Sequence, residues 1–434
     1  MTEEFLAYLW QFQYFNKNHL QTEAGQSIVV IYPGKRNTHA GPDFFEAVLQ
    51  IENLRWYGNI EIHVKTSHWL KHGHQVDRAY ESVILHVVWE NDLAEPICRS
   101  DKSPIPVLSL KGRVDPLLWE RYAVLMVPTS RPIACATQLH RVPTNILVNA
   151  AHQMIMRRLY RKSEEILQWL AYYRGHWQQV TYMLLMRNMG FKTNAEAMLQ
   201  LAQRLPYDIL RKVLHERTSV EALLLGMAGW LDDNFSDDYL KQLQKEFWYL
   251  AHKFDLKDKK MHQSAWKTAR MRPANFPVRR LAQAAALLCH LPDLFSSLVE
   301  IDSISTLKEA FQVPPSPYWQ KHYLAEKTSA RKLGGLGEES ANTLIINTLF
   351  PILTAYARHG GNPQAIEKAL QLLQQLPAET NAITRRWQGL PLPLQNAADS
   401  QAVIELYNEF CTPCRCLQCS IGMSLVQGEP LQNP

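Results

Sequence analysis

The chain's most chemically suggestive stretch runs from His39 to His86. At its centre Gly58-Asn-Ile-Glu-Ile-His-Val-Lys65 alternates as a strand does, with Ile60, Ile62 and Val64 on one face and Glu61, His63 and Lys65 on the other. At about 3.3 Å per residue this sets three ionisable groups in a row, about 6.6 Å apart. Asp43 stands just before a second strand-like run, residues 44–51, and His72, His74, Asp77 and Tyr80 lead into a third, residues 83–89, which carries His86. Paired carboxylates with a lysine are the side chains that hold Mg²⁺ or Mn²⁺ and support a nucleophilic water. A rival site draws on His39, His63, His72, His74 and His86 with Asp43 and Asp77, because imidazole and carboxylate together suit Zn²⁺ or Mn²⁺ in a small-molecule hydrolase. No His-Glu-x-x-His spacing is present. A solvated sheet face accounts for any one of these residues, and His86 within its apolar strand reads singly as a hydrogen-bonded core residue. The cluster as a whole is harder to explain that way.

The elements that must position these groups follow from periodicity. Residues 4–15 are apolar-rich and free of breakers, which predicts a helix. Strands are expected at residues 27–32, 44–51 and 56–66, the last two forming a hairpin near Asn53. Two more are expected at 82–89 and 105–110, with a helix or helical turn over 70–81. Residues 1–130 therefore read as a mixed sheet flanked by helices. Beyond Pro132 the pattern becomes helical, with Gly and Pro at the joints and no fixed-period repeat, so residues 140–400 read as a large irregular all-α domain. A short Cys-rich tail, 405–434, closes the chain, and the fold class expected is α+β.

That tail contains Cys411, Cys414, Cys416 and Cys419, a C-x₂-C-x-C-x₂-C run. Four thiolates converging at about 2.3 Å from an ion make a zinc site. The single residue Arg415 between the two pairs strains closure by all four, and three of them with Cys135 would close more easily. An iron–sulfur cluster is the competing occupant. Two basic groups invite a nucleic-acid reading: Arg157, Arg158, Arg161 and Lys162 on one predicted helix, and the turn Arg272-Pro-Ala-Asn-Phe-Pro-Val-Arg279, which presents Asn275 between Arg272 and Arg279 and is flanked by Arg270 and Arg280. For the first group, a solvated face paired with Glu164 and Glu165 is the commoner explanation.

Bulk composition limits the classes. With 46% hydrophobic and 20% charged residues in 434, the chain is a folded globular one of two or three domains. A net charge of +5 permits nucleic-acid binding without arguing for it. Met1-Thr-Glu-Glu-Phe lacks a basic and then apolar leader, no window approaches 18 apolar residues, and seven cysteines do not form a secreted disulfide pattern. A cytoplasmic protein with no membrane span is the expectation. No phosphate-cradling glycine loop occurs.

An acid at a strand start followed by Glu and Lys on the neighbouring strand resembles the PD-(D/E)xK nuclease superfamily. The helix–strand–strand–strand–helix–strand order agrees with that core. The resemblance implies Mg²⁺ or Mn²⁺ held by Asp43 and Glu61, with Lys65 supporting the nucleophile. That superfamily places its lysine two residues after the glutamate, where this chain has His63; either His63 replaces the lysine, or the metal acid has migrated, or the site is inactive. Five further blocks, His39-Ala-Gly-Pro-Asp-Phe, Gly58-Asn-Ile-Glu-Ile-His-Val-Lys, Val83-Ile-Leu-His-Val-Val, Arg272-Pro-Ala-Asn-Phe-Pro and Cys416-Leu-Gln-Cys-Ser-Ile-Gly, resemble a bacterial family known only as a domain of unknown function. Three expectations of function follow: a metal-dependent nuclease or its degenerate descendant, a non-catalytic nucleic-acid or protein-binding scaffold, and a small-molecule metal hydrolase.

Overall fold

The computed structural model describes residues 1–127, 132–269, 271–272, 275–301, 303–329, 332 and 334–428. Arg270, Pro273 and Ala274 of the arginine-rich turn lie outside the described residues. The fold is α+β, as the periodicity predicts, and the chain divides into two compact units: Met1–Leu147 with Glu409–Pro434, and Val148–Asn408.

The first unit is built on a six-stranded mixed sheet of β1 (Ile28–Tyr32), β2 (Lys35–Arg36), β3 (Phe44–Ile51), β4 (Leu54–Lys65), β5 (Val83–Glu90) and β6 (Val107–Ser109). Their order is β1-β3-β4-β5-β6, with β2 also pairing β3. β3 and β4 form the expected hairpin, Ile51 pairing Leu54 across a two-residue turn in which Glu52 adopts φ 51°. β4 then pairs in parallel with β5, Glu61 opposite His86 and His63 opposite Val88, and β5 in parallel with β6. A parallel pair needs a crossover, and the chain supplies it with helix α2 (His68–Lys71) and the 3₁₀ turns His74–Val76 and Arg78–Tyr80.

Helix α1 (Glu3–Phe12) is capped by the Thr2 hydroxyl, which accepts the Phe5 N–H, and packs against β4. Its Phe5, Leu6, Leu9 and Trp10 are fully buried. The sheet carries a further core of Trp69, Val83, Val88, Ile97, Ile105 and Val107, which Trp69 of α2 helps to close. In consequence the alternation on β4 does not mark a buried and a solvated face. Ile60 and Ile62 are buried, and so are Glu61 and His63.

Gly58 sets the start of the parallel pairing. A Cβ built there would lie 2.4 Å from Ile84 Cγ2 and 2.5 Å from the Ser82 carbonyl oxygen, so the two strands approach as closely as a hydrogen allows. The Asn59 N–H donates to that same Ser82 carbonyl.

Among the described residues the second unit is mainly helical, with the short antiparallel pair His322–Leu324 and Lys327–Thr328 and an isolated bridge of Pro377 with Asn396. Its basic helix face is committed internally. Glu405 is fully buried and accepts from Arg158 Nη1 at 3.1 Å and from Arg161 Nε and Nη2 at 2.8 Å each, while Gln401 Oε1 accepts from Arg158 Nε. Lys162 Nζ donates to Asn347 Oδ1. Burial, reinforced by the neighbouring Arg158 and Arg161, pushes Lys162 down to about 7. Among the described residues no helix is long and apolar enough to cross a membrane.

Two outcomes are expected. Gly58→Ala forces β4 and β5 apart and destabilises by about 1–3 kcal/mol, read as a lowered thermal midpoint. For Lys162, the unfolded chain keeps its proton up to about pH 10.5 while the folded chain releases it near 7. The unfolded state therefore binds more protons in that window, and this residue makes stability rise with pH across it. Urea midpoints of the wild type should climb relative to Lys162→Met from pH 7 to about 10, and a constant difference would refute the assignment.

Candidate metal centre

Asp43, just before β3, and Glu61, on β4, each accept a backbone N–H from the other's strand segment. The Asp43 N–H donates to Glu61 Oε2 at 3.1 Å, and the Ile62 N–H donates to Asp43 Oδ2 at 3.1 Å. One oxygen of each acid is thereby held by the neighbouring strand, and the other is aimed elsewhere. Asp43 Oδ1 faces Arg36 Nη1 at 3.8 Å, an ion pair too long for a hydrogen bond. Glu61 Oε1 faces His63 Nε2 at 3.5 Å and His74 Nε2 at 3.5 Å.

His63 is the hub of the imidazoles. Its Nδ1 meets His86 Nε2 at 2.8 Å and its Nε2 meets His72 Nδ1 at 3.0 Å. His72 caps the end of α2, and Gly73 at φ 77° turns the chain so that His74 returns to the same place. Tyr80 stacks on His74 with 3.7 Å between ring centroids, and Trp69 lies edge-on to it. One donor nitrogen from each of His63, His72 and His74 lies within 4.8 Å of the other two.

These spacings test whether the group fits a metal. Donor atoms about 2.0–2.2 Å from a tetrahedral ion stand roughly 3.4 Å from one another. The Glu61 Oε1 contacts with His63 and His74, and the His63–His72 contact, fall at 3.5, 3.5 and 3.0 Å. Buried His74 Nε2 has no hydrogen-bond partner, which leaves its nitrogen available as a donor to an ion. His63, His72 and His74 therefore have the composition and spacing of a three-imidazole site, with the Glu61 carboxylate beside His63 and His74. His86 holds the far nitrogen of His63, the arrangement by which an outer residue orients a ligating imidazole.

The electrostatics agree. Burial, with the Asp43 carboxylate beside it, pushes Glu61 up to about 9. Burial also raises Asp43 against the opposing pull of Arg36. In the other direction, burial and then its imidazole neighbours push His63 down to about 2, and burial pushes His86 down to about 3 and lowers His74. At neutral pH His63, His74 and His86 are neutral bases, the form that ligates metals. Crowded buried carboxylates in such a place lack positive charge, and a divalent cation supplies it.

The other sequence-derived candidates fall outside this cluster. Lys65 lies exposed at the end of β4, paired in register with Glu90, and its charge acts on Glu90 and Asp92. His39 is exposed, and Asp77 caps a 3₁₀ turn by accepting the Ala79 N–H. In the second unit Arg272 and Asn275 are exposed, with Asn275 Oδ1 accepting from Arg280 at 2.7 Å. Arg279 is buried and donates to the Gly334 carbonyl. Of the cysteines, Cys411, Cys416 and Cys419 line a small cavity with Cys135, and Cys414 is exposed. Sequence reasoning named His72 and His74 in the rival histidine site and missed Arg36 altogether. The His68-x₃-His72-x-His74 spacing was the available signal for the first two, and Arg36 offered none.

No curated protein and no solved structure matches the chain. A family profile matches residues 3–382, which takes in the whole of the histidine–carboxylate cluster. The chain belongs to the family described as protein of unknown function (DUF2851).

Proposed function

We propose that this protein is a metal-dependent phosphodiesterase acting on nucleic acid. The single observation that carries the metal centre is the convergence of one nitrogen each of His63, His72 and His74, with Glu61 Oε1 3.5 Å from His63 and from His74. Two or three imidazoles with one carboxylate favour Mn²⁺, Zn²⁺ or another transition ion over Mg²⁺, which prefers oxygen ligands and water. When bound, the ion supplies Lewis acidity at a phosphoryl oxygen and acidifies a water.

The chain's own residues divide the remaining work. Asp43 sits beside Glu61 with a raised affinity for protons, so it suits the part of base toward the attacking water. Arg36 favours a phosphate ester over a neutral ester or amide. Its guanidinium lies at the acids, and its buried Nη1 has no hydrogen-bond partner, so it offers a donor to a phosphoryl oxygen. His86 fixes the ring plane of His63, and the Trp69–Tyr80 wall excludes water from one side. The role that the superfamily resemblance assigned to Lys65 falls, in this reading, to Asp43 and Arg36. We also assign the protein to the cytoplasm, in keeping with seven free thiols.

The scaffold reading keeps one specific support, the backbone hydrogen bonds in which Asp43 and Glu61 are already engaged. A cleavage assay separates the readings. Purified protein is given labelled single-stranded, duplex and branched DNA and RNA, and a chromogenic carboxylic ester, each with Mn²⁺, Zn²⁺ or Mg²⁺. The expected result is cutting of nucleic acid with Mn²⁺ or Zn²⁺, abolished in Glu61→Gln and His72→Ala. Cleavage of the ester alone would establish the small-molecule reading, and binding of nucleic acid without cutting would establish the scaffold.

The outer histidine makes a separate prediction. His86→Ala should weaken Mn²⁺ or Zn²⁺ binding on the order of 10–100-fold by calorimetric titration, because His63 loses the partner that orients it. Unchanged affinity would remove His63 from the ligand set.

A further inference from the structure

The cysteines that the sequence crowds into the tail are not the set that the fold assembles. Cys411, Cys416 and Cys419 line one cavity with Cys135, from a distant part of the chain, and the rest of its wall is Ala134, Phe410 and Gly422. Cys414, whose backbone takes φ 56°, points out of this group and is exposed. All four cavity thiols are free. Among these wall residues no charged group or histidine is available to pair with them.

The local backbone is shaped to present the sulfurs. Cys416–Gln418 forms a 3₁₀ turn that runs directly into the helix Ser420–Gln427. The Ile421 and Gly422 N–H groups at that helix start donate to the Cys419 sulfur, the contact that a thiolate rewards more than a thiol. Gly422 is required there, since a Cβ would stand 2.1 Å from the Cys416 carbonyl oxygen. The turn and helix are pressed together so that Cys416 and Cys419 share the cavity.

We infer that Cys135, Cys411, Cys416 and Cys419 form a second, all-sulfur metal centre, for a thiophilic ion or cluster, independent of the histidine–carboxylate site. Four thiols crowd one small pocket whose other walls carry no positive charge, and a bound cation would supply the charge that their thiolates need. Binding would release the thiol protons to solvent and leave four metal–sulfur bonds. Two features bear on the occupant. No three of the sulfurs lie within 4.8 Å of one another, wider than the roughly 3.8 Å of sulfurs bound at 2.3 Å to one zinc. The space between them is ≈ 20 Å³, room for an ion or a water. A zinc ion draws the thiols inward, and an iron–sulfur cluster, whose thiolates bind separate irons, turns them outward. The shared chemistry is tetrathiolate ligation.

The test is elemental analysis for zinc and iron, with acid-labile sulfide, on full-length protein grown with both metals and purified without oxygen. In Glu61→Gln, whose histidine–carboxylate site is disabled, about one zinc per chain, or iron with matching sulfide, is expected, and the same with Cys414→Ser added. It should fall to near zero when Cys135→Ser or Cys416→Ser is added to Glu61→Gln. Should those variants not fold, cobalt substitution of the wild type reads the ligands directly through sulfur-to-cobalt charge-transfer bands. The inference is overturned if Glu61→Gln carries no thiol-bound metal, if the metal stays when Cys135→Ser is added, if adding Cys414→Ser loses it as fully as adding Cys135→Ser, or if these four cysteines are isolated as disulfides.

Discussion

The parallel pairing of β4 with β5 in the register that sets Glu61 opposite His86 governs the geometry of the histidine–carboxylate cluster. Side chains opposite each other on neighbouring strands share a face, so this register alone brings His86 to His63 and puts Glu61 beside both. A one-residue slip would turn His86 to the other side of the sheet. Gly58 makes the register possible by letting the Ser82 carbonyl approach the β4 backbone. The crossover that every parallel pair requires is then the natural carrier of further ligands, and His72 and His74 lie on it.

Burying so many titratable groups is costly unless their charges are cancelled or suppressed. The fold suppresses them: burial raises Glu61 and lowers His63 and His86. The backbone N–H groups of Asp43 and Ile62 satisfy one oxygen of each carboxylate and leave the others facing Arg36 and the imidazoles. In the proposed reading a divalent cation is the charge that this arrangement lacks, and a site kept neutral without it avoids an uncompensated buried anion.

The second unit solves a similar problem with its own charges. Glu405 is fully buried and is met by two guanidinium groups and, through Arg158, by Gln401. Removing one partner from such a group costs several kcal/mol, whereas the intact network is close to neutral in stability. Arg279 and Arg280 are likewise turned inward, to the Gly334 carbonyl and to Asn275 and the Phe191 ring. Basic clusters in a sequence are therefore weak evidence of an anion-binding surface in this protein, because internal acceptors account for most of them.

What the sequence determined by itself is the succession of elements: the first helix, the β3–β4 hairpin, the parallel strands, the helical turns between them and the helical region beyond Pro132. Each is encoded locally, by periods of two and 3.6 and by Gly and Pro at the joints, which is why each was legible. Glu61 and His63 on one face of β4 were legible for the same reason. The convergence of His72 and His74 on His63 depended on the left-handed turn at Gly73 and on the packing of Trp69. The choice of Cys135 over Cys414, and the separation of Lys65 from the acids, likewise depended on contacts distant in sequence. Those contacts are decided by register and by which surfaces bury one another, and a local pattern carries no record of them.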